Sequence, residues 1–123
     1  MENFRTQINS LLGDTLLSAA FLTYIGFYDS FYRKIIKESW KISVKKFKIL
    51  KSDTFDEVEW LTKPNDKVVW QKCGLPTDNI CLENASILQR FNRYPLIIDP
   101  AVQATEFIKK FFESKKLALT RYK

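Results

Sequence analysis

Apolar positions recur at three- and four-residue spacing along most of the chain, and only one stretch breaks that rhythm with a continuous run. Phe4, Ile8, Leu11 and Leu12 predict a short amphipathic helix that Gly13 terminates. Asp14 then stands as N-cap of a second helix with an apolar face of Leu16, Leu17, Ala20, Phe21 and Tyr24, stopped by Gly26. Ser18, Ala19 and Ala20 keep this helix narrow, so that another element can approach it closely. Asp29 or Ser30 opens a longer helix with Tyr32, Ile36, Trp40 and Val44 inward and Arg33, Lys34, Lys37, Glu38 and Lys41 on the solvent side. Thr54 and Glu57 have capping-box spacing before Val58 and Leu61. Pro64 stops that short helix and opens another through Val68, Val69 and Trp70 to about Cys73, where Gly74 ends it. Leu75-Pro76-Thr77-Asp78 reads as a turn whose aspartate caps a helix carrying Leu82, Ala85 and Leu88.

The break comes at Leu96-Ile97-Ile98, closed by Asp99-Pro100 and followed by a helical stripe of Ala104, Ile108, Phe111 and Phe112. This predicts a buried strand, a tight turn and a helix, and Leu117-Ala118-Leu119-Thr120 reads as a second, parallel strand reached by a right-handed crossover. The expected fold is therefore α/β and helix-rich: several helices, then a strand-loop-helix-strand unit.

Strand, turn and helix are also the frame of a phosphate-binding loop. Laid on the template G-x-x-x-x-G-K-[ST], Asp99, Pro100, Ala101, Val102, Gln103, Ala104, Thr105 and Glu106 lose all four defining positions. Asp99 and Ala104 replace the glycines whose backbone freedom lets phosphates approach. Thr105 brings no charge where a lysine would neutralise phosphate, and Glu106 puts a carboxylate where a hydroxyl would meet magnesium. The residues allow two readings, a degenerate nucleotide loop kept for its shape or an ordinary βα unit.

The 123 residues suffice for one domain or part of one. The most apolar stretch, Leu16 to Phe27, is interrupted by Ser18, Thr23 and Tyr24 and reads as too short to span a bilayer; the first residues lack a secretory pattern, so an intracellular place is the default. Twenty Lys and Arg against 14 Asp and Glu give a net charge of +6. The excess gathers at Lys45, Lys46, Lys48 and Lys51, and at Lys109, Lys110, Lys115, Lys116, Arg121 and Lys123. These are either solvated surface or a patch for nucleic acid or an acidic protein surface. With no histidine and only Cys73 and Cys81, the chain offers no zinc set and none of the usual histidine bases, so no catalytic or metal-binding residues are assigned. The cysteines read as small buried thiols of a reducing compartment.

Three segments carry a resemblance to a known family. Gly13-Asp14-Thr15-Leu16-Leu17-Ser18-Ala19-Ala20-Phe21, continuing to Tyr24 and Gly26, resembles the segment of dynein heavy chains that follows the microtubule-binding stalk. Leu75-Pro76-Thr77-Asp78 with Glu83-Asn84-Ala85, and Arg90-Phe91-Asn92-Arg93-Tyr94-Pro95-Leu96-Ile97-Ile98-Asp99-Pro100 with Gln103-Ala104-Thr105-Glu106-Phe107-Ile108, are similar to the cytoplasmic form in the same order. One departure is Val102, where the family usually has glycine.

The resemblance implies the start of the fifth AAA+ module of the motor ring, a P-loop-type module whose loop is degenerate in this family. Residues 1–90 would be the helical segment linking the stalk to that module, and residues 91–123 the start of its core. It implies a cytoplasmic, cytoskeletal parent motor that uses ATP and magnesium to move toward microtubule minus ends and that binds microtubules and accessory chains. The segment's own partners would be the rest of the ring and the stalk, with no nucleic acid, membrane or cofactor. It lacks a Walker B acid, sensor residues and an arginine finger, so it is expected to be a non-catalytic piece of that motor. Two other functions are weighed against this: weak nucleotide binding through backbone amides near Ala101 to Thr105, and a small basic protein binding nucleic acid or the microtubule surface.

Overall fold

The computed structural model describes residues 2–113. They form helices α1 (Glu2–Tyr24), α2 (Ser30–Lys46), α3 (Glu57–Leu61), α4 (Pro64–Lys72), α5 (Asn79–Arg90) and α6 (Gln103–Phe111), with a 3₁₀ turn, Ile25–Phe27, after α1. α1 packs against α2 and α3, α3 against α5, and α4 against α6.

Locally encoded boundaries fall where their chemistry places them. Asp29 accepts hydrogen bonds from the amides of Phe31 and Tyr32 at 3.0 Å each and starts α2. Pro64 opens α4, and the Lys63 amide donates to Asp66 Oδ2 at 2.9 Å. Gly74, at φ +91°, lets the chain leave α4. Asp78 accepts from the Cys81 amide at the head of α5. The α3 cap departs from expectation: Asp56 accepts from the Glu59 amide at 2.9 Å, while Glu57 turns inward and is buried.

The first two expected helices are one. α1 runs through Gly13, because the glycine answers a tertiary demand: a Cβ at position 13 would lie 2.2 Å from the Leu50 carbonyl oxygen. Asp14 is no cap. Its carboxylate accepts from the Ser52 amide at 2.9 Å, and the residue is buried. The close approach inferred at Ser18–Ala20 thus occurs a turn and a half earlier. Leu17, Phe21 and Ile25, spaced by four, form the buried stripe, whereas Leu16 and Tyr24 of the expected face are exposed. Unbroken helix also changes the membrane argument, since Ile8–Phe27 is long and apolar enough to cross a bilayer by length and composition, with mean hydropathy 1.3.

A second core joins α4, α5 and α6 through Trp70, Ala85 and Phe107, with Cys73, Leu75, Leu82, Leu88, Ile108 and Phe111 packed around them. Phe107, absent from the expected stripe, is its centre on α6. Phe111 stacks on it at 5.3 Å between ring centroids.

The expected α/β unit is corrected in one part. Leu96–Ile98 forms no strand, and the described residues contain no strand at all. A strand needs a neighbour for its amides and carbonyls, and the described residues supply no second strand; Leu96 and Ile98 are exposed, not buried. The other expected strand, Leu117–Thr120, lies outside the described residues.

Candidate functional site

The turn after Ile98 brings the template positions together in a way that sequence alone did not reveal. The Val102 amide donates to the Asp99 carbonyl at 3.3 Å, which closes a turn with Pro100 at its second position. Asp99 then reaches over the head of α6. Its Oδ2 accepts from the Thr105 amide at 2.7 Å and from Thr105 Oγ1 at 2.9 Å. Thus the residue standing for the first template glycine binds the residue standing for the lysine.

These bonds hold the Asp99 carboxyl below its ordinary range; the Thr105 amide is the largest cause, and the amides of Gln103 and Ala104 add to it. The first amides of a helix carry partial positive charge and attract anions. Here the chain's own carboxylate has taken the position. Val102, the residue at the helix N-cap, supplies no side-chain bond and sits at φ 61°, ψ 10° in the left-handed region.

Glu106 points its carboxylate to Lys109 Nζ at 2.9 Å, and that bond is the main reason its pKa is lowered. Ala104 is half-buried, while Pro100, Ala101 and Gln103 are exposed. No residue from Asp99 to Glu106 carries a positive side chain. Cys81, at the head of α5, has its thiol pushed up to about 11, chiefly by burial and then by Asp78, which leaves it protonated and unreactive at neutral pH.

A second polar site was not foreseen. Arg33, assigned from its spacing to the solvent side of α2, is 3% exposed. Its Nη1 donates to Glu83 Oε2 at 3.0 Å, its Nη2 to Asn84 Oδ1 at 2.8 Å and its Nε to the Tyr28 carbonyl at 2.7 Å. One turn on, Lys37 Nζ donates to Glu83 Oε1 at 2.6 Å and lies 3.9 Å from Glu57 Oε2. The expectation failed because helical spacing gives a face but not what covers it; Glu83 lies 50 residues from Arg33.

A helical segment, an apolar stretch, a tight turn and a helix follow one another in the order in which an α/β nucleotide-binding module opens, with the strand of such a module not formed among the described residues. Two family descriptions match the chain: "Microtubule-binding stalk of dynein motor" over residues 1–44 and "ATP-binding dynein motor region" over residues 68–123. Cytoplasmic dynein heavy chains are 40% identical over 121 residues in Dictyostelium discoideum, 41% over 121 in Drosophila melanogaster and 44% over 119 in Caenorhabditis elegans. Each alignment takes in 97–98% of this chain and 3% of the relative's length. The chain belongs to the dynein heavy-chain family. It spans the join between a stalk-matching part, which holds α1 and nearly all of α2, and a motor-matching part, which holds α5 and α6.

Proposed function

We propose that this chain is a non-catalytic relay segment of a dynein motor: the start of the fifth AAA+ module, joined directly to the returning strand of the stalk. On this reading residues 1–90 link stalk to module, and residues 91–123 begin a core whose nucleotide loop, Asp99 to Glu106, binds neither ATP nor magnesium. The parent would be an ATP-driven, minus-end-directed microtubule motor of the cytoplasmic cytoskeleton. The segment would pass conformational change between ring and stalk by rigid-body contacts with the rest of the ring.

The observation that carries the reading is the hydrogen bonding of Asp99. A phosphate at the head of α6 would have to displace a carboxylate already held by the Thr105 amide and hydroxyl. It would meet no cationic side chain from the turn in exchange. Calorimetric titration of the chain with Mg-ATP and with Mg-ADP tests this. No saturable heat is expected at submillimolar nucleotide; a Kd tighter than about 1 mM would overturn the degenerate-loop argument.

A further inference from the structure

We infer that the Arg33–Lys37–Glu83–Glu57 cluster is a register key that fixes the stalk-matching helices α1 and α2 against the motor-matching helix α5, so that the two parts move as one body; the inference rests on the relay reading above.

Arg33 donates to the carbonyls of Gly26 and Tyr28, which flank the corner between α1 and α2, and to Glu83 and Asn84 on α5. A single guanidinium thereby ties that corner to α5. Lys37 adds a second tie from the next turn of α2 to the other oxygen of Glu83, faces Glu57 on α3, and lies 6.0 Å from the centre of the Phe21 ring on α1.

The cluster is also costly. The side chains of Arg33, Glu83 and Glu57 are 3%, 9% and 5% exposed, and that of Lys37 is 18% exposed. Two cations and two carboxylates taken this far from water lose hydration that their mutual attraction returns only in near-ideal geometry, and apolar side chains of similar volume commonly hold a fold as well or better. Stability therefore does not explain the cluster. What charges supply and methyl groups do not is direction: a planar fork with several fixed donors is satisfied in one placement of α5 and left unpaired by a shift of either helix.

The cluster lies where the stalk-matching residues 1–44 meet the motor-matching residues 68–123. A change of orientation entering at either part reaches the other through it.

The test uses spin labels at the exposed positions Ser39 on α2 and Gln89 on α5, in the full chain with Cys73 and Cys81 changed to alanine. The otherwise unaltered chain is expected to give one narrow distance population. Arg33→Lys keeps the charge but loses the fork, and is expected to broaden that population or add a second. The paired Arg33→Met and Glu83→Leu variant is expected to melt at or above the parent temperature and yet show the same spread. A distance as narrow as the parent's in the folded paired variant, or in Arg33→Lys should the pair not fold, would overturn the inference.

The relay reading is separated by placing Arg33→Lys in a complete dynein heavy chain carrying this segment. There, microtubule stimulation of ATP hydrolysis is expected to fall while the basal rate stays. Spread distances in the chain together with unchanged stimulation would sink the relay and leave the key standing; narrow distances sink the key whatever the motor does.

Discussion

Val102 offers the sharpest test of the backbone at the head of α6. A left-handed conformation costs an L-residue about 1–2 kcal/mol relative to the right-handed region, and Val102 adopts it at φ 61°, ψ 10°. Replacement by alanine and by glycine removes the same branched methyls, and position 102 is already 51% exposed, so the two variants forfeit nearly equal burial. Their difference isolates the backbone. Glycine escapes the left-handed penalty but gives up about 0.5–1 kcal/mol through its freer unfolded chain, which leaves Val102→Gly more stable than Val102→Ala by roughly 0.5–1 kcal/mol. Inside a helix the order is reversed, with alanine ahead by about 1 kcal/mol, so the sign of the difference decides. Urea unfolding of the two variants, with equal slopes to show that the unfolded states match, gives the number directly. An alanine variant as stable as the glycine variant would refute the left-handed assignment. Glycine at 102 is not expected to confer nucleotide binding, because Asp99 still occupies the helix amides.

Gly13→Ala should destabilise the chain by about 1–3 kcal/mol despite alanine's better helix propensity, since the added methyl meets the Leu50 carbonyl; thermal melting checks it, and a neutral result would deny the close approach. Phe107→Ala should cost about 3–5 kcal/mol in the same assay, as expected for a large buried ring. Ser86→Ala should be neutral or stabilising by up to about 1 kcal/mol, because the buried Ser86 hydroxyl has no hydrogen-bond partner among the described residues. The Asp99 carboxyl, with its folded pKa lowered, contributes stability that is present above its ordinary value of 3.8 and lost as pH falls through the folded value. Carbon-13 NMR should therefore place its midpoint below 3.8, and a midpoint at or above that value would contradict the hydrogen bonds to Thr105.

What could be read in advance divides along the range of the interactions involved. Asp29, Pro64, Gly74 and Asp78 act on their own or adjacent turns, so the starts of α2, α4 and α5 and the end of α4 were legible. Gly13 and Asp14 have the local chemistry of a stop and a cap, yet their partners are Leu50 and Ser52, which no local pattern supplies. The same holds for Arg33, whose burial depends on a carboxylate 50 residues away; the available hint was the four-residue spacing of Arg33, Lys37 and Lys41, which puts all three on one face. At the loop, the missing template groups were plain from residue types, but the bond between Asp99 and Thr105 required the turn's geometry.

Leu96–Ile98 shows why a strand is not the property of its own residues. Its branched side chains favour extended backbone, but the segment forms no regular element, and Leu96 and Ile98 face solvent at 91% and 87% exposure. Burying such side chains is worth about 1.5–3 kcal/mol each, so the run is stable only where another strand pairs with it and covers both faces. The contrast with α6 is instructive. That helix satisfies its own backbone and covers Phe107 with Trp70, Ala85 and the side chains around them, and it forms with no sheet among the described residues. Helices tied to one another through Arg33 and Glu83, beside an apolar run left uncovered, show packing that α-helices reach with partners from this segment and a strand does not.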